Sequence, residues 1–219
     1  MGMMKKRIKV IFVLAGFSAA TLIPISTASA ADAAVNCKPA KSTGHSPMKL
    51  DIPKIKKPFR DRTITLKTNC GNIVIAAYGT KAPLTVISMS YLAKRGYFDN
   101  SLCHRIVTNG IFIIQCGDPT ASGSGGPQWT VPDENLPTGN VNDNLYPAGT
   151  VAMANSGPNT NGSQFFFTYK DNSQLAASYT VWGKVIKGLD ILNYIASKGI
   201  GNNGIAPAQS LEIRRAMAN

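Results

Sequence analysis

The sequence predicts a mainly β fold, a closed eight-stranded antiparallel barrel capped by two α-helices. Two observations lead there. About eight short apolar runs are separated by Gly, Pro and Asn, and only two segments carry helical spacing. Composition alone would accommodate a two-sheet sandwich equally well.

Taken in order, Thr63-Ile64-Thr65-Leu66-Lys67 alternates in polarity and reads as a strand. Cys70-Gly71-Asn72 is a turn, and the run 73–78, ended by Gly79, returns as the second strand of a hairpin. Residues 82–95 form the first helix: Pro83 suits its first position, Val86, Met89, Leu92 and Ala93 share a face, and Gly96 stops it. Further strands fall near 103–108, 111–116, 150–154, 164–168, 180–186 and 209–215. The second helix covers 189–197, with Leu189, Leu192, Ile195 and Ala196 on one face and Gly199 beyond its end. Both stripes read as core-facing.

The 219 residues exceed what the barrel needs, and the excess lies at the N-terminus. Lys5-Lys6-Arg7 and Lys9 precede an apolar run over 10–23, and Ala28-Ser29-Ala30 supplies small residues at a cleavage site. Residues 1–30 therefore read as an export signal cut after Ala30. The alternative is an uncleaved membrane anchor, against which the run is shorter than the ~20 residues of a spanning helix. Residues 31–61 hold Pro39, Pro47, Pro53 and Pro58 among lysines and lack apolar periodicity. They are expected to form a flexible basic tether to a domain at 62–219.

The formal charge of +12 divides unevenly. Residues 1–30 contribute +4, residues 31–60 +5, and residues 61–219 only +3. A nucleic-acid domain would carry its charge on its own face, so that class is excluded. The tether is either a solvated linker or a contact for anionic cell-surface polymers.

Cys37, Cys70, Cys103 and Cys116 are an even set in a chain expected to be exported. Cys103 and Cys116 flank a hairpin that can bring them together, which leaves Cys37 with Cys70 to tie the tether to the barrel. Free thiols are the alternative. A zinc site is not expected, because no Cys-x-x-Cys occurs and the histidines are His45 and His104 alone.

The chemistry is concentrated in three motifs. Met153-Ala154-Asn155-Ser156-Gly157-Pro158-Asn159-Thr160-Asn161-Gly162-Ser163-Gln164-Phe165-Phe166 sets a turn-rich loop between two strands. Cys103-His104-Arg105 and Gln115-Cys116-Gly117-Asp118 lie upstream. Together these motifs resemble the cyclophilin family of peptidyl-prolyl cis–trans isomerases over roughly residues 62–217. The resemblance implies a monomeric eight-stranded barrel with a helix at each end. It also implies an isomerase that needs no cofactor or metal and acts on proline-containing segments, here of exported proteins.

Position by position, the resemblance makes Arg105 the catalytic donor and Gln115 its orienting partner. Gln164, Ala154 and the backbone of Asn155 would hold the peptide main chain. Phe112, Ile113, Phe166, Leu175 and Tyr179 would line the proline slot. His104, next to Arg105, is expected on the opposite face as a packed structural residue. Gly123-Ser124-Gly125-Gly126 would border the groove, and the carboxylates of Asp133 and Glu134 would be structural. The chain departs from the family in having two extra residues between Arg105 and Gln115. It also carries Gln174 where many members have Trp and Tyr179 where His is common. Loss of that Trp implies weak cyclosporin binding. A peptide-binding chaperone or surface module with little turnover is the competing reading.

Overall fold

The computed structural model describes residues 1–2 and 34–219. The expected export signal lies outside the described residues. Residues 34–219 form one compact unit.

The elements are β1 (Arg62–Thr68), β2 (Gly71–Ala77), α1 (Pro83–Lys94), β3 (Ser101–Leu102), β4 (Arg105–Val107), β5 (Ile113–Cys116), β6 (Thr150–Met153), β7 (Phe165–Thr168), β8 (Val181–Lys187), α2 (Leu189–Ser197) and β9 (Glu212–Ala218). All pair antiparallel in one sheet, ordered β3-β9-β1-β2-β8-β6-β7-β5-β4. The expected count of eight strands is corrected to nine. The extra one arises because a single extended segment is split at Cys103-His104. Its first half pairs with β9 and its second with β5. The two ends of the sheet are therefore consecutive pieces of one strand, and the sheet curls round to meet itself.

Alternation supplies the core. Ile64 and Leu66 from β1 and Ile73, Ile75 and Ala77 from β2 point inward and are buried. Phe165, Phe167 and Trp182 fill the interior in edge-to-face pairs, with centroids 5.4 Å and 5.8 Å apart.

Helix α1 buries Val86, Met89, Leu92 and Ala93 as its spacing predicts. Its first turn has no side-chain cap of its own. Glu134 serves instead, accepting the N–H groups of Leu84 (3.0 Å) and Thr85 (2.8 Å) and the Thr85 hydroxyl. A carboxylate there satisfies orphan donors and opposes the positive end of the helix dipole.

The segment expected to be a flexible tether is ordered against the barrel over residues 35–50. Val35, Cys37 and Leu50 pack on the core. The Cys37–Cys70 bond joins the segment to the β1–β2 turn. Lys38 donates its N–H to Asn69 O at 2.9 Å, and Asn69 Nδ2 returns a bond to Lys38 O. The buried Glu212 carboxylate accepts the N–H groups of Lys41 (3.3 Å) and Ser42 (3.0 Å) and pairs with Arg214 Nε at 3.2 Å. Arg214 Nη2 in turn donates to Pro39 O. This extended, Pro-containing segment is held by side chains remote in sequence, so no local periodicity announces it. Closing the 33-residue separation constrains the unfolded chain by an amount on the order of 3–4 kcal/mol.

Glu212→Ala is expected to lower stability by about 1–3 kcal/mol, since it strands two N–H donors and Arg214. Amide exchange at Lys41 and Ser42 should rise well above that of the barrel. Unchanged protection there would show that Glu212 does not hold the segment.

Candidate functional site

The site is built on β4 and β5. Arg105 stands directly opposite Gln115 in the register. The Cys103–Cys116 bond fastens the same two segments, two residues before Arg105 and one after Gln115. Arg105 Nη1 donates to Gln115 Oε1 at 3.1 Å. Gln115 Nε2 donates to Gln164 Oε1 at 2.8 Å. Gln164 Nε2 donates onward to the carbonyls of Gly123 (2.8 Å) and Gly125 (3.0 Å). The guanidinium is thus aimed by neutral amides. Arg105 has no carboxylate partner among the described residues, so its charge is left for whatever enters beside it.

What lies beside it is a pocket of about 370 Å³. Arg105 and Gln115 form its polar edge, and Ile111, Ile113, Phe166 and Leu175 supply apolar wall. Ala154, Asn155 and Tyr179 also border it. Behind it, Tyr146, Ile113, Ala152, Phe166 and Leu175 form a hydrophobic cluster separate from the main core. Tyr146 is the buttress. Its hydroxyl donates towards Ala176 O (3.0 Å) and Tyr179 O (3.2 Å) and accepts the Tyr179 N–H (3.0 Å). Burial pushes that hydroxyl up to about 12, so it stays protonated at ordinary pH.

At the rim, Asn155 fixes itself by donating Nδ2 to Ser178 O at 2.9 Å. Its own backbone N–H and C=O take no partner among the described residues. These two backbone groups are left open to a further hydrogen-bond partner.

The Gly-rich rim is shaped by Asp118, which is fully buried. Its carboxylate accepts the N–H groups of Thr120 (2.7 Å), Ser122 (3.1 Å), Gly123 (2.6 Å) and Gly125 (3.0 Å), and the hydroxyls of Thr120 and Ser122. Burial alone would raise its pKa, but these bonds outweigh it and hold the carboxyl below the ordinary 3.8. Two glycines are required here. Gly123 has φ +86°, and a Cβ on Gly125 would collide with Asp118 Oδ1. Asp133 ties the other loop by accepting the Asn159 N–H (2.9 Å) and Asn161 Nδ2 (2.8 Å).

Three sequence expectations need correction. Phe112 does not line the pocket. Ile111 and Ile113 face it, so alternation turns Phe112 the other way, edge-on to Tyr169 at 5.9 Å and beneath Lys170 Nζ at 5.3 Å. Gln164 does not present a free amide, because both ends of its side chain are spent on Gln115 and the Gly123–Gly125 carbonyls. In this arrangement its side chain links Gln115 to the Gly-rich rim. His104 is packed as expected, yet it borders the pocket, because the strand breaks there and alternation lapses. Burial lowers its pKa against the opposing pull of the Asp118 charge, so it is neutral at ordinary pH.

Asp118 and Tyr146 were not assigned roles from sequence. For Asp118 a signal existed: an acid followed at short range by Thr120, Ser122, Gly123 and Gly125, all able to donate to it. For Tyr146 none did, since its partners at 176–179 are distant in sequence.

The model for the cyclophilin type peptidyl-prolyl cis-trans isomerase family matches residues 63–217. The chain belongs to the cyclophilin family. It is 41% identical over 183 residues to a probable peptidyl-prolyl cis-trans isomerase B of Mycobacterium leprae, covering 78% of this chain and 61% of that one. It is 37% identical over 187 residues to the Mycobacterium tuberculosis protein of the same name, covering 80% and 60%. The chain thus spans about three fifths of the length of these curated relatives. A Cryptosporidium parvum cyclophilin crystal structure superposes with TM-score 0.64 at 30% identity, over 73% of this chain and 98% of that one. A second structure of that protein, in the presence of the dipeptide Ala-Pro, gives 0.62.

In this cyclophilin the depressed pKa of Asp118 has a definite sign. A carboxyl whose folded pKa lies below its unfolded value stabilises the fold above pH ~3.8, and that contribution is lost as pH falls through the folded pKa. The Gly123 and Gly125 amide resonances should therefore stay fixed from neutral pH down past pH ~4 and move only below it. Asp118→Asn should abolish that titration, loosen the loop at neutral pH and cost about 1–3 kcal/mol. Amides that titrate near pH ~4 or above would contradict the assignment.

Proposed function

We propose that this cyclophilin is a peptidyl-prolyl cis–trans isomerase in which Arg105 is the catalytic donor. The observation that carries the reading is an unneutralised guanidinium, held by Gln115, at the edge of an apolar pocket floored by Phe166. The barrier to X–Pro rotation is ~18–20 kcal/mol, because the C–N bond is partly double. As the bond twists, the lone pair localises on the proline nitrogen and becomes able to accept a hydrogen bond. A donor placed there binds the twisted state better than either planar state, and that difference lowers the barrier. The pocket grips the ring while the acyl side turns, and the free backbone groups of Asn155 hold the chain. No bond to a heavy atom forms or breaks, so no nucleophile or general base is required.

We infer further that the substrates are proline-containing segments of exported proteins. The support is the N-terminal charge and apolar pattern at residues 1–30 and the pairing of all four cysteines, which suits an oxidising compartment. The competing reading, a binding module with little turnover, gives no reason for a positioned guanidinium beside the slot.

NMR exchange on a short X–Pro peptide tests this. The oxidised full chain should accelerate exchange, and Arg105→Ala should reduce kcat/KM by ~100–1000-fold with the fold intact. Arg105→Lys should recover little, because a single ammonium cannot keep the Gln115 contact and reach the substrate. A folded wild type without acceleration would transfer the assignment to the binding module. Cyclosporin should inhibit poorly. Gln174 is exposed and absent from the pocket wall, so the apolar area and indole donor of the more common Trp are missing. Inhibition as tight as that of Trp-bearing cyclophilins would refute that point.

A further inference from the structure

The second half of the N-terminal segment runs beside α1 and leaves a groove of about 510 Å³ between them. Lys54, Lys56, Arg62, Lys94 and Arg95 line it, against one acid, Asp51. None of these five cations forms an ion pair among the described residues, where the sole salt bridge is Arg214–Glu212. Arg95 lies over the Tyr91 ring at 5.2 Å, and Arg62 donates only to the Asn219 carbonyl. The compact unit over residues 34–219 carries nineteen Lys and Arg against ten acids, and five of those cations meet a single acid around this groove. Five cations around a groove with one carboxylate repel one another, and an anionic occupant relieves that repulsion.

The groove shares no lining residue with the proline pocket, but a third hollow touches the walls of both. Gln115, Gly123, Ala154 and Asn155 border both the pocket and a neighbouring trough of about 260 Å³. Trp129 lines the trough, and its ring centroid is 6.2 Å from that of Tyr91, which lines the groove. Trp129 is itself pinned by donating Nε1 to Ser88 Oγ of α1 at 3.0 Å. The groove walls are also partly apolar. Ile52, Ile87 and Tyr91 line it, and Ile52 is 69% exposed. Such a wall offers nothing to a bare phosphate chain but suits a polypeptide that alternates carboxylates with apolar side chains.

We propose that the groove between residues 51–56 and α1 is an exosite for acidic segments of the same polypeptide whose proline occupies the pocket. It rests on the isomerase reading for its occupant, but its binding is measurable without turnover. An extended chain advances ~3.3 Å per residue, so the acidic stretch lies several residues from the proline. The exosite raises the affinity of acidic clients and leaves the chemical step to Arg105.

The test uses the oxidised full chain and three fluorescent peptides sharing one X–Pro centre. One carries glutamates before the proline, one after it, and one carries glutamines at all those positions. One of the acidic peptides should bind about tenfold tighter than the glutamine peptide at low salt, and the gap should shrink to about twofold near ~0.5 M salt. Lys54→Glu/Lys56→Glu/Lys94→Glu should erase the preference while leaving turnover of the glutamine peptide unchanged, which also reports that the variant is folded. Should that variant not fold, Lys54→Gln/Lys56→Gln/Lys94→Gln should weaken the preference in the same direction. Arg105→Ala should lose turnover yet keep the preference, so failure of the isomerase reading and failure of the exosite are separable. Equal affinity for all three peptides overturns the proposal. So does a preference that survives the charge changes, or inorganic polyphosphate that fills the groove without displacing the acidic peptide.

Discussion

An arginine that no carboxylate neutralises must be held in place by something other than a countercharge, and most of the site follows from that constraint. A carboxylate beside Arg105 would fix the side chain but consume the field that the proposed isomerisation needs. Amides solve this. Gln115 receives the guanidinium, Gln164 receives Gln115, and the carbonyls of Gly123 and Gly125 anchor Gln164. Every link is neutral, so orientation is obtained without loss of charge. The relay is only as rigid as its far end. There Asp118, buried in a nest of N–H and hydroxyl donors, fixes the loop that supplies those carbonyls. The charge at this end of the relay is thus a carboxylate already saturated by hydrogen bonds.

The strands impose the same logic from below. Arg105 and Gln115 meet because β4 and β5 pair in a register that sets them opposite each other. The Cys103–Cys116 bond makes a slip of that register difficult. The opposite wall depends on aromatic packing. Phe166 is edge-on to Tyr179 at 5.5 Å, and the Tyr146 hydroxyl ties down residues 176–179. One side of the pocket is positioned by polar links and the other by packed rings.

Much of this was legible in the sequence, for reasons that differ by element. The helices at 83–94 and 189–197 were plain because Pro83, Gly96 and the apolar stripes are local signals. The strand pairs around Arg105 and Gln115 were plain because the motifs that flank them are long. The split of one strand into β3 and β4 was not, since nothing local marks where a strand changes partner. Phe112 was misplaced because two extra residues in the 108–111 turn leave motif alignment free to shift, while pleat alternation permits only every second side chain to face the pocket. The ordered stretch at 35–50 was missed for a related reason. Its partners, Asn69 and Glu212, are distant in sequence, and extended backbone held by remote side chains has no periodicity to read.

In the proposed mechanism Gln115 acts through Arg105. A double-mutant cycle in kcat/KM, using Arg105→Ala, Gln115→Ala and the double variant in X–Pro exchange by NMR, tests it most directly. Gln115→Ala should slow the wild type by at least about tenfold but change the Arg105→Ala enzyme hardly at all. Additive losses would contradict it, because Gln115 would then contribute to catalysis independently of the guanidinium it holds.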